Sequence, residues 1–157
     1  MTSRTVGFTG SRAGLTDAQK NTVAQLLKWI KPDEVHHGEC VGADANFHEI
    51  VRGVLPQCHI IGHPPLMVTY HASLKGYYRE EKRKGYLKRD NDIVDACDIL
   101  IGCPKIGRTF QVVERTALNP YRGGAWYTIN YAQKVGKEIV IVKPDGSIER
   151  QEARSNE

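Results

Sequence analysis

The chain has 157 residues, 40% of them hydrophobic and 25% charged, with a formal net charge of +4. That length suits one domain with a full-sized core, and no apolar run is long enough to span a bilayer. A membrane-spanning protein and large-scale disorder are therefore not expected. The mild positive balance permits anionic ligands and implies no more.

The amino end holds Arg4 but no apolar h-region, so no secretory signal is expected. Thr5–Thr9 is a β-rich buried run ending in Gly10-Ser11-Arg12. Thr16 to Gln19 forms a capping box, after which Val23, Leu26, Leu27 and Ile30 fall on one helical face as far as Pro32. Glu34–His37 is a short strand that stops at Gly38. Asp44–Val54 has helical spacing, and Cys58–Ile61 reads as another strand. Pro64-Pro65 begins a less regular segment that turns helical somewhere between Leu74 and Ala96. Asp98–Cys103 is a strand closed by Pro104, and residues 105–122 lack convincing periodicity. Gly123-Gly124 opens a helix running to Val135 and capped by Gly136. Glu138–Val142 is the last core strand before a Pro144-Asp145-Gly146 turn.

Strands alternating with helices, several too uniformly apolar for period-two alternation, predict one α/β domain over residues 1–146. The expected architecture is a doubly wound, mainly parallel sheet with helices on both faces. Residues 147–157 are polar and read as an edge strand or a disordered tail. Cys40, Cys58, Cys97 and Cys103 form no C-x-x-C pair. They read as reduced thiols of a cytoplasmic protein, neither a disulfide frame nor a zinc site. His36, His37, His63 and His71 likewise show no metal-ligand spacing, so neither a metal nor a cofactor is expected.

In an open parallel sheet, ligands sit beyond the carboxyl ends of the strands, near the switch in strand order. Four turns fall at such ends: Gly10-Ser11-Arg12, Gly38 to Asp44, Gly102-Cys103-Pro104, and Arg122 to Thr128. The first has the makings of an anion cradle, with backbone N–H groups, a hydroxyl and a guanidinium converging. Gly7, Gly10 and Gly14 do not fit the dinucleotide pattern G-x-G-x-x-G, and no Gly-Lys-Ser/Thr closes a P-loop.

In order and spacing these turns resemble the SLOG superfamily, the Rossmann-like group that includes DprA, the LOG enzymes and YpsA-related proteins. His63-Pro64-Pro65 and the stretch from Tyr86-Leu-Lys-Arg89 to Asp95 match small stand-alone members, and the likeness spans Thr5 to Val142. It implies a Rossmann-like fold and a nucleotide or nucleotide-derived ligand whose phosphate is gripped by two helix N-termini. Gly10, Ser11 and Arg12 would form one wall, with Gly38 and Gly42 beside it. Gly123, Gly124, Ala125, Trp126 and Thr128 would form the other. Trp126 or Tyr127 either stacks a base or packs in the core. His37, Arg89, Pro104 and Arg122 are further cleft candidates, and Arg89 and Asp92 compete with a reading as a surface helical pair.

Whether a reaction follows is a separate matter. LOG-type phosphoribohydrolases carry Pro-Gly-Gly-x-Gly-Thr-x-x-Glu at the last helix. Here Arg122-Gly-Gly-Ala-Trp-Tyr-Thr-Ile-Asn130 lacks the second glycine-threonine pair and puts Asn130 in the glutamate position. Asparagine can neither take a proton nor stabilise a ribosyl cation by charge. For N-glycosidic cleavage of a nucleoside monophosphate, Glu39 or Asp44 would stabilise an oxocarbenium-like ribose or position water. Otherwise Asp44 complements a helix dipole and Glu39 faces solvent; Glu114 has no assigned place. A third reading is single-stranded DNA binding through Lys75 to Arg89, seven Lys/Arg against two Glu interleaved with tyrosines. Its plain alternative is a solvated helix face in which Glu80, Glu81 and Lys84 pair. Homo-oligomerisation is expected, through the segment around Tyr70–Tyr86 or residues 106–121, though those residues read equally as a lid over the cleft.

Overall fold

The structure, a computed structural model, describes residues 4–105 and 125–154. One sheet contains β1 (Thr5–Gly10), β2 (Glu34–His37), β3 (His59–Gly62), β4 (Arg79–Glu80), β5 (Ile99–Cys103), β6 (Glu138–Val142) and β7 (Ile148–Gln151). The order is β4-β3-β2-β1-β5-β6-β7, parallel throughout except for β7, which runs antiparallel to β6. The helices are α1 (Asp17–Ile30), α2 (Ala43–Val54), α3 (Tyr86–Ala96) and α4 (Ala125–Val135). The expected α/β fold is thus formed, with β1 at the centre and the strand order reversing beside it. The polar tail joins the sheet as its antiparallel edge strand. No helix of the described residues is long and apolar enough to cross a membrane.

Strand alternation divides the core between two faces. Val6, Phe8, Val35, Ile101, Val140 and Val142 pack against Val23 and Leu27 of α1 and Phe47 and Val51 of α2. Leu100, Ile139 and Ile141 pack against Val94 of α3 and Ile129 and Ala132 of α4. Each such side chain, fully buried, contributes about 1.5–3 kcal/mol. The Phe8 ring stacks on Phe47 at 4.2 Å between centroids, which seats α2 over the carboxyl end of β1.

The capping box of α1 forms: Thr16 Oγ1 accepts from the Gln19 N–H, and the Gln19 side chain accepts from the Thr16 N–H. One boundary shifts: the third strand begins one residue later than Cys58. The helix expected between Leu74 and Ala96 forms from Tyr86 to Ala96, and residues 78–81 ahead of it are not helical. Tyr78 and Glu81 donate their N–H groups to the carbonyls of Ile60 and Gly62, so this backbone is satisfied by the sheet edge and not by a helix. The solvated helix face imagined over Glu80, Glu81 and Lys84 therefore does not form. The basic residues there are largely engaged within the chain: Arg79 with Glu81, and Lys84 and Lys88 with Asp92.

Candidate functional site

The turn after β1 is braced from within. The Ser11 carbonyl accepts the N–H groups of Gly14 and Ala43, and its hydroxyl accepts the Ala13 N–H. The helix abutting this turn is α2, not the α1 that follows it in sequence. The amino end of α1 is closed by its own capping box, and Thr16 donates its hydroxyl to the Pro144 carbonyl. Gly42, at φ 91, caps α2, and a Cβ there would collide with the Arg12 carbonyl. No other residue fits that approach without strain. Ser11 and Gly42 thus shape the site, while Gly10, Arg12 and Gly38 line it.

Its polar floor lies over the ends of β1 and β2 and is completed by Cys40, Asp44, Arg89 and Asp90. The buried Asp44 carboxylate accepts from the Cys40 N–H at 3.1 Å and from the Gly38 N–H. Burial raises its pKa to about 7 against the opposing pull of those donors and of Arg89. Arg89 enters from α3 and is 8% exposed. Its Nε has no hydrogen-bond partner among the described residues, and its terminal nitrogen is 3.6 Å from Asp90. Burial likewise lifts Asp90 to about 6, opposed chiefly by Arg89; the Thr128 hydroxyl of α4 is buried with no hydrogen-bond partner among the described residues.

From this floor the cleft widens into a mouth of about 210 Å³ lined by Pro65, Leu66, Met67, Tyr70 and Tyr86, with Arg12, Cys40 and Arg89 common to both parts. The Arg12 guanidinium stacks 3.8 Å above the Tyr70 ring. A larger cavity, about 540 Å³, lies at the opposite, amino end of β2 and β3, between Lys28, Lys31 and the segment from Val54 to His59. It contains none of the four strand-end turns.

Other expected site residues are placed differently. The His37 ring is buried beneath α2, accepting the Glu39 N–H on Nδ1 and bonding His48 through Nε2 at 2.9 Å. It supports the turn and does not line the cleft. Burial holds its pKa well below the usual value, so it is neutral. Pro104 is buried at the end of β5, where its carbonyl accepts from Gln19 under α1. Ala125 and Trp126 belong to the core between α4 and the sheet. Asp92 pairs with Lys84 and Lys88 at the surface, whereas its neighbour in the motif, Arg89, lines the floor. Glu39, read as a catalytic residue of the cleft or else as solvent-facing, is neither: it is fully buried and directed away from the cleft, towards His71 and Glu80. Arg122, Gly123, Gly124 and Glu114 lie outside the described residues, so the second glycine turn does too.

Asp90 and Cys40 were not singled out from the sequence. Asp90 adjoins Arg89 within the Tyr86–Asp95 motif, which was a usable signal. Tyr70 was marked only as part of the segment to Tyr86, read as an interface or a lid; its approach to Arg12 depends on how that segment docks on the turn after β2, where the Val41 N–H donates to the Tyr70 carbonyl. No protein-family model matches the chain, and no curated protein matches it in sequence.

Proposed function

We propose that the protein binds a phosphorylated nucleoside-type ligand in this cleft, with its anionic group at Arg12 and its sugar over the floor. The carrying observation is the union of a buried guanidinium and two buried carboxyls with an apolar, tyrosine-lined mouth. Carboxyl groups accept from vicinal sugar hydroxyls, and Arg89 Nε is a donor with no partner among the described residues. Tyr70, Tyr86, Leu66 and Met67 offer flat and apolar surface to a base. The amino end of α2 and the Arg12 guanidinium supply positive potential for a phosphate. The resemblance of the strand-end turns to the SLOG superfamily supports the same reading. Calorimetric titration with nucleoside monophosphates and ADP-ribose tests it. Binding that weakens at least about tenfold in Arg12→Ala is expected. Lack of binding by every phosphorylated ligand, or an Arg12→Ala variant with unchanged affinity, refutes it.

A second reading, N-glycosidic cleavage of the bound nucleotide, is favoured by one observation. The Asp44 carboxyl is held near neutrality in the floor of the cleft, where it can exchange a proton at physiological pH. Free base released by the protein and lost in Asp44→Asn supports it. The absence of free base above buffer across a nucleotide panel refutes it. Glu39 has no part in this reading, since its carboxylate is directed out of the cleft.

A further inference from the structure

Behind the turn that follows β2, a second group of polar side chains meets between β2, β3 and β4. Glu39 adopts a left-handed backbone, φ 57, held by its N–H to His37 and by its carbonyl, which accepts from the Ala72 N–H. That conformation costs an L-residue on the order of 1 kcal/mol and persists only where the surroundings enforce it. It drives the carboxylate into the protein against Gly62, where a Cβ would overlap both the Glu39 carboxylate and the Tyr77 ring. His71 meets Glu39 Oε1 at 2.7 Å through Nε2, and Glu80 comes from β4, paired in register with Gly62. One ligand atom from each of Glu39, His71 and Glu80 lies within 4.8 Å of the others.

Two buried polar atoms at this place have no hydrogen-bond partner among the described residues: Glu39 Oε2 and the Tyr77 hydroxyl. Glu39 is 0% exposed, and the group facing it is another carboxyl, that of Glu80. A buried carboxyl oxygen without a partner is expensive, and a second carboxyl beside it adds to the cost. A dication would neutralise both and give Oε2 a partner.

We propose that Glu39, His71 and Glu80 form a binding site for a first-row divalent transition cation. Two carboxylate oxygens and one imidazole nitrogen suit Zn²⁺ or Mn²⁺, and the imidazole disfavours Mg²⁺ and Ca²⁺. Bonds of about 2.0–2.2 Å are reached from the present spacing by small side-chain shifts. Arg83 is the opposing charge: its guanidinium is 3.1 Å from His71 Nδ1 and also donates to the Pro65 carbonyl. It is exposed. With Arg83 donating to Nδ1, the His71 proton sits on Nε2 and is donated to Glu39. On cation binding that proton moves to Nδ1, Arg83 gives up its bond there, and Nε2 binds the cation as a neutral imidazole. The site shares no lining residue with the cleft, so it stands independently of the nucleotide reading.

The test is calorimetric titration of the chelator-treated protein with Zn²⁺, Mn²⁺ and Mg²⁺. One equivalent of Zn²⁺ or Mn²⁺ is expected to bind, with Mg²⁺ at least about a hundredfold weaker. Glu39→Gln and His71→Ala should each weaken binding at least tenfold, and Arg83→Gln should strengthen it. Glu80→Gln, at an exposed position, provides the same test should either of those variants fail to fold. Lack of stoichiometric binding, or binding that survives both His71→Ala and Glu80→Gln, overturns the assignment.

Discussion

Substituting Asp44 by Asn should stabilise the protein, and only above a definite pH. The carboxyl titrates at about 7 in the folded chain against an ordinary 3.8. The folded state therefore holds this proton more tightly than the unfolded state does. Its contribution is fully present below about pH 4 and is lost as the pH climbs through about 7. A displacement of about three units, at about 1.4 kcal/mol each, makes the ionised group costly to the fold by on the order of 4 kcal/mol at pH 8. Asn retains an oxygen to accept the Cys40 N–H and carries no charge. Urea unfolding at pH 4.5 and pH 8 should show the variant ahead by only about 1 kcal/mol at the lower pH, where the unfolded carboxyl has begun to ionise. At the higher pH the variant should gain a few kcal/mol. Asp90 and Glu39 titrate in overlapping ranges, but both proteins contain them, so the difference isolates Asp44. An offset equal at the two pH values would refute the argument, since it would mean that Asp44 does not change its protonation on folding.

Arg12→Ala should cost about 1.5–3 kcal/mol of affinity for an anionic ligand, read by calorimetry, while the melting temperature stays near that of the parent. Gly42→Ala should destabilise by on the order of 1–3 kcal/mol in urea and move the Arg12 turn, because φ 91 and the Arg12 carbonyl both oppose a Cβ. A wild-type unfolding midpoint would contradict that packing. Thr16→Ala should lose about 1 kcal/mol of stability with ligand affinity intact, because the amino end of α1 is closed on Pro144 and takes no part in the cleft. Lower affinity in that variant would return the anion site to α1.

The elements most legible in the sequence were those whose pattern is local. The Thr16–Gln19 box, the apolar β5 and β6, and the Pro144-Asp145-Gly146 turn all carry their signal in adjacent residues. β4 was illegible because Arg79 and Glu80 have no apolar alternation at all; that strand exists through its bonds to the edge of β3. At the site, glycine turns revealed where the rim lies but not which helix each turn meets. Gly10-Ser11-Arg12 precedes α1 in sequence yet docks α2, because the Ser11 carbonyl reaches the Ala43 N–H. Glu39 and His37 were misplaced for a shared reason. In a strand-end turn, a single left-handed residue decides which side chains enter the interior, and Glu39 is not a residue type that announces one.

That one backbone feature also separates the two polar centres. Glu39 and Asp44 sit in the same short connection from β2 to α2, and placed together they would repel across a desolvated space. The left-handed turn at Glu39 sends its carboxylate towards the β3–β4 edge. Asp44, in the first turn of α2, is directed back under Arg89 by the N–H groups of Gly38 and Cys40. The division is held by buried, neutral imidazoles. His48 bonds the Lys75 carbonyl through Nε2 and His37 through Nδ1, and His37 accepts the Glu39 N–H. With Nδ1 of His37 accepting, its proton must sit on Nε2 and point at His48. Every link in this chain then has a donor facing an acceptor, with no ring charged. His37 and His48 are thus the scaffold of the connection, and the two acids it holds apart, Glu39 and Asp44, belong to separate centres.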